Sequence, residues 1–99
     1  MEETNYEKKT ERALLISVDT GDFDAETSIN ELAELADTAG AEVIGMIVQK
    51  KDAPSPSSFV GSGRLSEIAC FCQNNDIDII IADSELSPIQ VKNIEDFAD

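Results

Sequence analysis

Ala13-Leu14-Leu15-Ile16-Ser17-Val18 is an almost unbroken apolar run near the start of the chain. The turn signal Asp19-Thr20-Gly21-Asp22 follows it directly. An apolar run of this length, bounded by turn residues, indicates a strand that is covered on both faces. Such strands belong to parallel sheets that have helices above and below them. We therefore predict a layered α/β domain organised around this strand.

Two further strands and three helices alternate with the first strand along the chain. Strand-like runs occupy residues 42–48 and 77–82, and the second of these is rich in β-branched side chains. Apolar stripes at helical spacing occupy residues 25–39 and 63–74 and the segment that follows Ser87. The alternation predicts a small three-layer βαβαβα domain with a short, mostly parallel sheet and helices on both faces. We favour strand order 2-1-3, while order 3-2-1 stays open.

Polar residues and glycines mark the ends of the first two helices. Asp24 is the predicted N-cap of the first helix, although Ser28 with Glu31 fits a capping box and a later start. Gly40 suits the end of that helix. Residues 53–58 contain two prolines, which predict a mobile loop before the second helix.

The third helix has the clearest start of the three. Ser87 is its predicted N-cap, Pro88 fits the first helical position, and Gln90 completes a capping box. No stop signal precedes the last residue, so we expect the helix to continue in a longer protein. For the same reason we expect Ile94 and Phe97 to be under-buried in these residues alone.

Composition excludes several classes of function. The 99 residues carry a net charge of −14, which argues against non-specific binding to nucleic acid or anionic membrane. Cys70 and Cys72 are the two cysteines and histidine is absent, so neither a Cys/His zinc set nor a Ser/His/Asp triad can form.

Residues 1–11 are predicted to be a flexible lead-in, and residues 12–99 one domain truncated in its last helix. With no signal peptide and no membrane span, we expect a cytoplasmic protein.

The segment Gly61-Ser62-Gly63-Arg64 is the first candidate site. A glycine-rich turn at a helix start can present backbone N–H groups to an anion. Lys50 and Lys51 flank the same loop, and with Arg64 they predict a small positive patch suited to a phosphate of RNA or of a nucleotide. The alternative is a tight turn in which Ser62 caps the helix. The sequence lacks GxxxxGK[ST], so it carries no signature of nucleotide hydrolysis.

Carboxylates at the strand ends form a weaker candidate site. Asp19 follows the first strand and Asp83 the third, and carboxylates in such positions hold Mg²⁺ in some phosphate-handling α/β domains. This placement raises the hypothesis of a Mg²⁺-dependent phosphoacceptor domain. The alternative is that these carboxylates shape turns and precede helix N-termini.

Two segments match a known family pattern. Ser58-Phe59-Val60-Gly61-Ser62-Gly63-Arg64-Leu65-Ser66-Glu67-Ile68 contains an aromatic–aliphatic pair before a G-x-G-[KR] turn. Asp83-Ser84-Glu85-Leu86-Ser87-Pro88-Ile89-Gln90, followed by Asn93-Ile94-Glu95, contains an acidic-Leu-Ser-Pro-x-Gln helix start. In this order, residues 11–99 resemble the N-terminal domain of the HflX family of ribosome-associated GTPases. Ser62 stands where many members have lysine, which weakens a phosphate role for the turn.

The resemblance implies a fragment without its GTPase domain. GTP and Mg²⁺ are then expected in that missing domain, and no cofactor or catalytic residue is expected here. The implied function is a non-catalytic ribosome-binding and regulatory module, with a phosphate- or nucleotide-binding domain as the alternative. The implied partners are the large ribosomal subunit (rRNA and protein) and the protein's own helical and GTPase domains. We expect the surface for those domains, or for self-association, at Val91, Ile94 and Phe97.

Overall fold

The computed structural model describes residues 10–98, so the predicted flexible lead-in lies almost entirely outside the described residues. The elements are β1 (Arg12–Asp19), α1 (Ala25–Thr38), β2 (Glu42–Lys50), α2 (Ser62–Asn75), β3 (Ile79–Ala82) and α3 (Pro88–Ala98). The predicted alternation of strands and helices is confirmed. Within residues 10–98, no helix has both the length and the apolar character that a membrane crossing requires.

The three strands form one parallel sheet in the order β2-β1-β3, which confirms the favoured order. The central strand pairs Leu14 with Gly45 on one side and with Ile80 on the other. An irregularity between Ala13 and Leu14 accommodates one extra residue of β2. The carboxyl ends of all three strands therefore meet at one edge of the sheet.

Strand β1 supplies the core on both faces of the sheet, as its unbroken apolar run predicts. Leu14 and Ile16 are fully buried in the cluster beneath α2 and α3. Ala13 and Leu15 point to the opposite face and pack around Ile29 of α1. Each buried Leu or Ile side chain contributes roughly 1.5–3 kcal/mol of transfer free energy. Side chains that alternate along one strand thus hold the two helical layers to the sheet.

Local capping fixes the ends of α1. Asp24 Oδ1 accepts from the Thr27 N–H at 3.1 Å, and Asp24 Oδ2 accepts from the Thr27 hydroxyl at 2.7 Å. These bonds, the hydroxyl bond first, lower the pKa of Asp24. Gly40 follows the helix with φ 95, a conformation that favours glycine. The alternative start at Ser28 is wrong, because Ser28 lies within the helix.

The predicted cap of α2 is wrong. Gly61, with φ 97 and ψ 147, is the N-cap, no side chain caps the helix, and Ser62 is its first residue. At the other end, Asp76 adopts a left-handed conformation and the Ile77 N–H donates to the Cys72 carbonyl oxygen at 3.1 Å. Strand β3 begins at Ile79, two residues later than predicted.

The predicted capping box of α3 is present. The Ser87 hydroxyl accepts from the Gln90 N–H at 3.2 Å, and Gln90 Oε1 accepts from the Ser87 N–H at 2.8 Å. Pro88 occupies the first helical position, where a missing N–H group costs nothing. Helix α3 packs beside α2 on the same face of the sheet.

Candidate functional site

The candidate turn lies at the carboxyl edge of the sheet, where β2 ends and α2 begins. Lys51 follows β2, and its N–H donates to the Asp19 carbonyl oxygen at 3.1 Å. A Cβ atom at Gly61 would lie 3.4 Å from Lys51 Nζ, so the ammonium group sits against the turn. Lys50 is exposed at the end of β2. The structure thus brings Lys51 to the turn, which is the placement that a phosphate contact requires.

The backbone of the turn leaves donors open. Gly61 N–H donates to the Ser58 hydroxyl at 3.1 Å, and the Gly61 carbonyl oxygen accepts from Arg64 and Leu65. Neither Ser62 N–H nor Gly63 N–H donates to a partner within the part of the chain that the structure describes. The first turn of α2 also has no acidic side chain. The positive end of the helix dipole therefore faces outward beside Lys51.

The side chain of Arg64 already contacts two residues of the same domain. Its Nε donates to Gln49 Oε1 at 2.7 Å, and its guanidinium pairs with the Glu67 carboxylate. The side chain is 32% exposed, so the group still reaches solvent. An exposed pair of this kind contributes at most about 1 kcal/mol and can be exchanged for another anion. Arg64 is therefore a weaker phosphate contact than Lys51.

The loop predicted to be mobile is folded against the domain. Ser55 and Phe59 exchange two backbone hydrogen bonds, both at 2.9 Å. Ser58, Phe59 and Val60 are buried, with 4%, 2% and 2% of their surface exposed. The prolines predicted an extended irregular segment, but the apolar pair that follows them anchors it in the core.

Two side chains of α3 bind this segment, and neither was identified from sequence as a contact residue. Gln90 Nε2 donates to the Ser55 carbonyl oxygen at 2.8 Å, and Asn93 Nδ2 donates to the Ser57 carbonyl oxygen at 2.7 Å. These partners are 35 and 36 residues apart in the sequence. No periodicity or spacing rule reaches across that distance, so no local signal points to them.

The two carboxylates proposed for a metal make other contacts. Asp83 Oδ2 accepts from the hydroxyl groups of Ser17, at 2.7 Å, and Ser28, at 2.9 Å, and so links β3, β1 and α1. Asp83 Oδ1 is buried and has no hydrogen-bond partner among the described residues. Asp19 Oδ1 accepts from the Gly21 N–H at 3.0 Å. Across residues 10–98, no group of three or more acidic, cysteine or histidine residues is placed to hold a metal ion. A Mg²⁺ site at Asp19 or Asp83 stays a prediction.

The proposed interdomain surface is only partly exposed. Ile94 is 4% exposed and belongs to the core, so the expectation that it would be under-buried is wrong. Phe97 is 46% exposed and Val91 38% exposed, which matches the expectation for Phe97. Contacts of α3 with α2 and with Ile80 supply the partners that Ile94 was expected to lack.

An open groove lies between α3 and β3. Its volume is about 470 Å³. Its walls are mainly apolar and include Ile77, Ile80, Leu86, Val91 and Ala98. Val91 therefore lines the groove and is also part of the exposed surface of α3.

Comparison with known proteins gives the family. A family model described as GTP-binding GTPase N-terminal matches residues 26–99, three quarters of the chain. The chain belongs to this family, the N-terminal domain of HflX-type GTPases. It is 45% identical over 96 residues to the GTPase HflX of Caldanaerobacter subterraneus subsp. tengcongensis, a match that covers 97% of this chain and 22% of the relative.

Two further HflX relatives agree with this assignment. The GTPase HflX of Lacrimispora saccharolytica is 40% identical over 86 residues, covering 86% of this chain and 20% of the relative. The GTPase HflX of Escherichia coli is 35% identical over 86 residues, again 86% of this chain and 20% of the relative. The chain thus spans about a fifth of the length of these curated HflX relatives. The resemblance inferred from the two sequence motifs is confirmed.

Proposed function

We propose that this domain is a non-catalytic module of an HflX-like GTP-binding protein that binds the large ribosomal subunit and regulates the GTPase domain. Membership of the HflX N-terminal family carries the proposal. In the full-length protein, GTP and Mg²⁺ bind in the GTPase domain, outside the residues of this chain. The same proposal places the protein in the cytoplasm, where ribosomes are found.

The turn at the start of α2 is the part of the domain that we propose contacts ribosomal RNA. Lys51 Nζ lies against Gly61, and the open N–H groups of Ser62 and Gly63 and the side chain of Arg64 follow in the first turn of α2. The rest of the chain is strongly acidic, with a net charge of −14. Long-range attraction to RNA is therefore unfavourable, and binding depends on these few groups at short range.

Co-sedimentation with purified large ribosomal subunits tests this proposal. For a contact that neutralises two or three phosphates, log K should fall with log salt with a slope of about −2. The paired reversal Lys51→Glu with Arg64→Glu should lower the affinity about tenfold or more, since two contacts of about 1 kcal/mol or more are lost. Lys92→Glu changes a lysine on the exposed side of α3 and is the control. Equal binding by the double variant and this control would refute the assigned contact.

The regulatory part of the proposal concerns the exposed apolar side chains of α3. We propose that Val91 and Phe97 pack against the helical or GTPase domain of the full-length protein. Phe97→Ser in that protein should then change the rate of GTP hydrolysis while this domain keeps its thermal unfolding temperature. Self-association through the same surface is the other outcome. It would appear as a dimer of this chain in light scattering that Phe97→Ser abolishes.

A small phosphate-binding domain is the second candidate function. The observation that favours it is the pair of open N–H groups at Ser62 and Gly63. Titration with ATP or GTP should then shift the amide signals of residues 61–65. Unchanged signals at millimolar nucleotide, with ribosome binding intact, would leave RNA contact as the function of the turn.

A further inference from the structure

A series of hydrogen bonds, passing through residues Ser55 and Ser58, connects helix α3 to the backbone N–H of Gly61. It begins at Gln90, whose Nε2 donates to the Ser55 carbonyl oxygen at 2.8 Å. The Ser58 N–H and hydroxyl then donate to Ser55 Oγ at 3.2 and 3.1 Å. It ends where the Gly61 N–H donates to the Ser58 hydroxyl at 3.1 Å. Helix α3 is therefore connected through polar contacts to the N-cap residue of α2.

Asn93 adds a second connection from the same side of α3. Its Nδ2 donates to the Ser57 carbonyl oxygen at 2.7 Å. Gln90 and Asn93 are three residues apart and so lie on one face of the helix. The neighbouring Lys92 turns away and pairs with Asp96 at 3.3 Å. One face of α3 thus holds the segment before the turn, and the adjacent face does not.

The segment needs this support because one of its residues has an unfavourable backbone conformation. Phe59 has φ 65, in the left-handed region that residues other than glycine seldom adopt, while its side chain is 2% exposed. Such conformations persist where surrounding contacts over-determine them. The Ser55 carbonyl oxygen accepts from both the Phe59 N–H and Gln90 Nε2, so its two lone pairs are in use. Loss of the Gln90 bond removes one of the contacts that hold this conformation.

We infer that Gln90 and Asn93 are positioning residues that couple helix α3 to the Gly61-Ser62-Gly63 turn. They hold residues 55–60 so that the turn and its open N–H groups stay beside Lys51. Coupling between two regions is reciprocal, so a contact that displaces α3 also alters the turn. The coupling of α3 to the free turn is argued from these hydrogen bonds, whereas the consequence for ligand binding rests on the proposed function.

The variant Gln90→Glu separates positioning from capping. A glutamate still accepts from the Ser87 N–H and completes the capping box. Its second carboxylate oxygen replaces the donor and faces the Ser55 carbonyl oxygen, so the connection to the segment is lost. Ile89→Glu is the matched control, because it adds the same charge in the same helical turn at a side chain that is 59% exposed.

Amide hydrogen exchange and amide chemical shifts of the free 99-residue chain give the readout. In Gln90→Glu, we expect Gly61 to exchange about tenfold faster relative to the β1 amides, since a hydrogen bond of about 1 kcal/mol is lost and repulsion is added. The amide signals of residues 61–65 should also shift. Asn93→Ala should change both in the same direction, and its control Lys92→Ala should change neither.

The ratio of the amide exchange rate of Gly61 to the rates of the β1 amides tests the coupling even where a variant lowers overall stability. If Gln90→Glu and Asn93→Ala leave this ratio equal to that of their controls, the coupling does not exist. Binding of large ribosomal subunits then separates the two proposals. A wild-type chain that does not bind them overturns the proposed function, while the exchange ratio of the free chain still decides whether α3 positions the turn.

Discussion

The two glycines of the Gly61-Ser62-Gly63 turn should respond to alanine in opposite directions. Gly61 has φ 97 and ψ 147, a region of backbone conformation that is close to exclusive to glycine. A Cβ atom there would meet only Lys51 Nζ at 3.4 Å, an ordinary contact, so the cost is backbone strain and not crowding. Gly63 lies inside the first turn of α2, and a Cβ atom there would have no neighbour within 4 Å.

The magnitudes follow from these conformations. For Gly61→Ala, strain of about 1–3 kcal/mol is offset in part by about 0.4–1 kcal/mol from the stiffer unfolded chain. The net loss of about 1–2 kcal/mol should lower Tm by about 4–15 °C in a domain of this size. Gly63→Ala should gain about 0.5–1 kcal/mol, because alanine is the better helix residue and meets no obstacle.

Thermal and urea unfolding, followed by circular dichroism, measure both variants against the wild type. The urea m-value should stay constant, which shows that each change acts on stability and not on the compactness of either state. An alanine at Gly61 that leaves Tm unchanged or raises it would refute the strain assigned to that residue. Shifts of both variants in the same direction would refute the contrast between them.

Three further predictions concern the rest of the domain. A Cβ atom at Gly45 would lie 2.5 Å from Phe71 Cζ, so Gly45→Ala should destabilise by about 1–3 kcal/mol, and Phe71→Leu in the same chain should recover part of that loss. Hydrogen bonds from the first turn of α1, the threonine hydroxyl first, hold the pKa of Asp24 below its ordinary 3.8. The stability that the Asp24 carboxylate contributes is present at pH values above 3.8 and is lost as the pH falls through the lower pKa of the folded state. Asp24→Asn should therefore weaken the dependence of the unfolding free energy on pH in the acid range. Cys70 is exposed, while burial shields Cys72 and raises its pKa, so thiol reagents should modify Cys70 first and Cys72 only on unfolding.

The outcomes that contradict these three predictions are distinct. Additive losses in the Gly45 and Phe71 double variant would show that the two residues do not meet. An Asp24→Asn chain with the wild-type pH profile between neutral and acid pH would exclude the cap as the origin of that dependence. Equal rates of labelling at both cysteines, read by mass spectrometry of the folded chain, would contradict the burial of Cys72.

Local signals were sufficient for most of the architecture. The apolar run of β1 predicted burial on both faces, and Leu14 and Leu15 are fully buried on opposite sides of the sheet. The caps at Asp24 and Ser87 also act over three residues, within the range of a sequence pattern. A favoured strand order could be named because short crossovers leave few topologies for three parallel strands.

The candidate site was predicted less completely, because it depends on contacts between distant segments. Sequence placed Lys51 and Arg64 beside the turn but could not show that Arg64 is tied to Gln49. It assigned the cap to Ser62, whereas Gly61 takes that position and Ser58 binds its N–H group. Which residue is the N-cap, and which of the nearby serine hydroxyl groups binds a turn N–H, depends on the path of the folded chain.

The sequence by itself determined the α/β class, the helix caps at Asp24 and Ser87 and, through two motifs, the HflX family. Each of these depends on residues that are close in the chain, where periodicity and hydrogen-bonding range act directly. Tertiary structure alone decided that Ile94 is buried and that residues 55–60 are held in place. Those outcomes depend on how α3 packs against α2 and the segment before the turn, where the partners of Gln90 and Asn93 lie more than thirty residues away in the sequence.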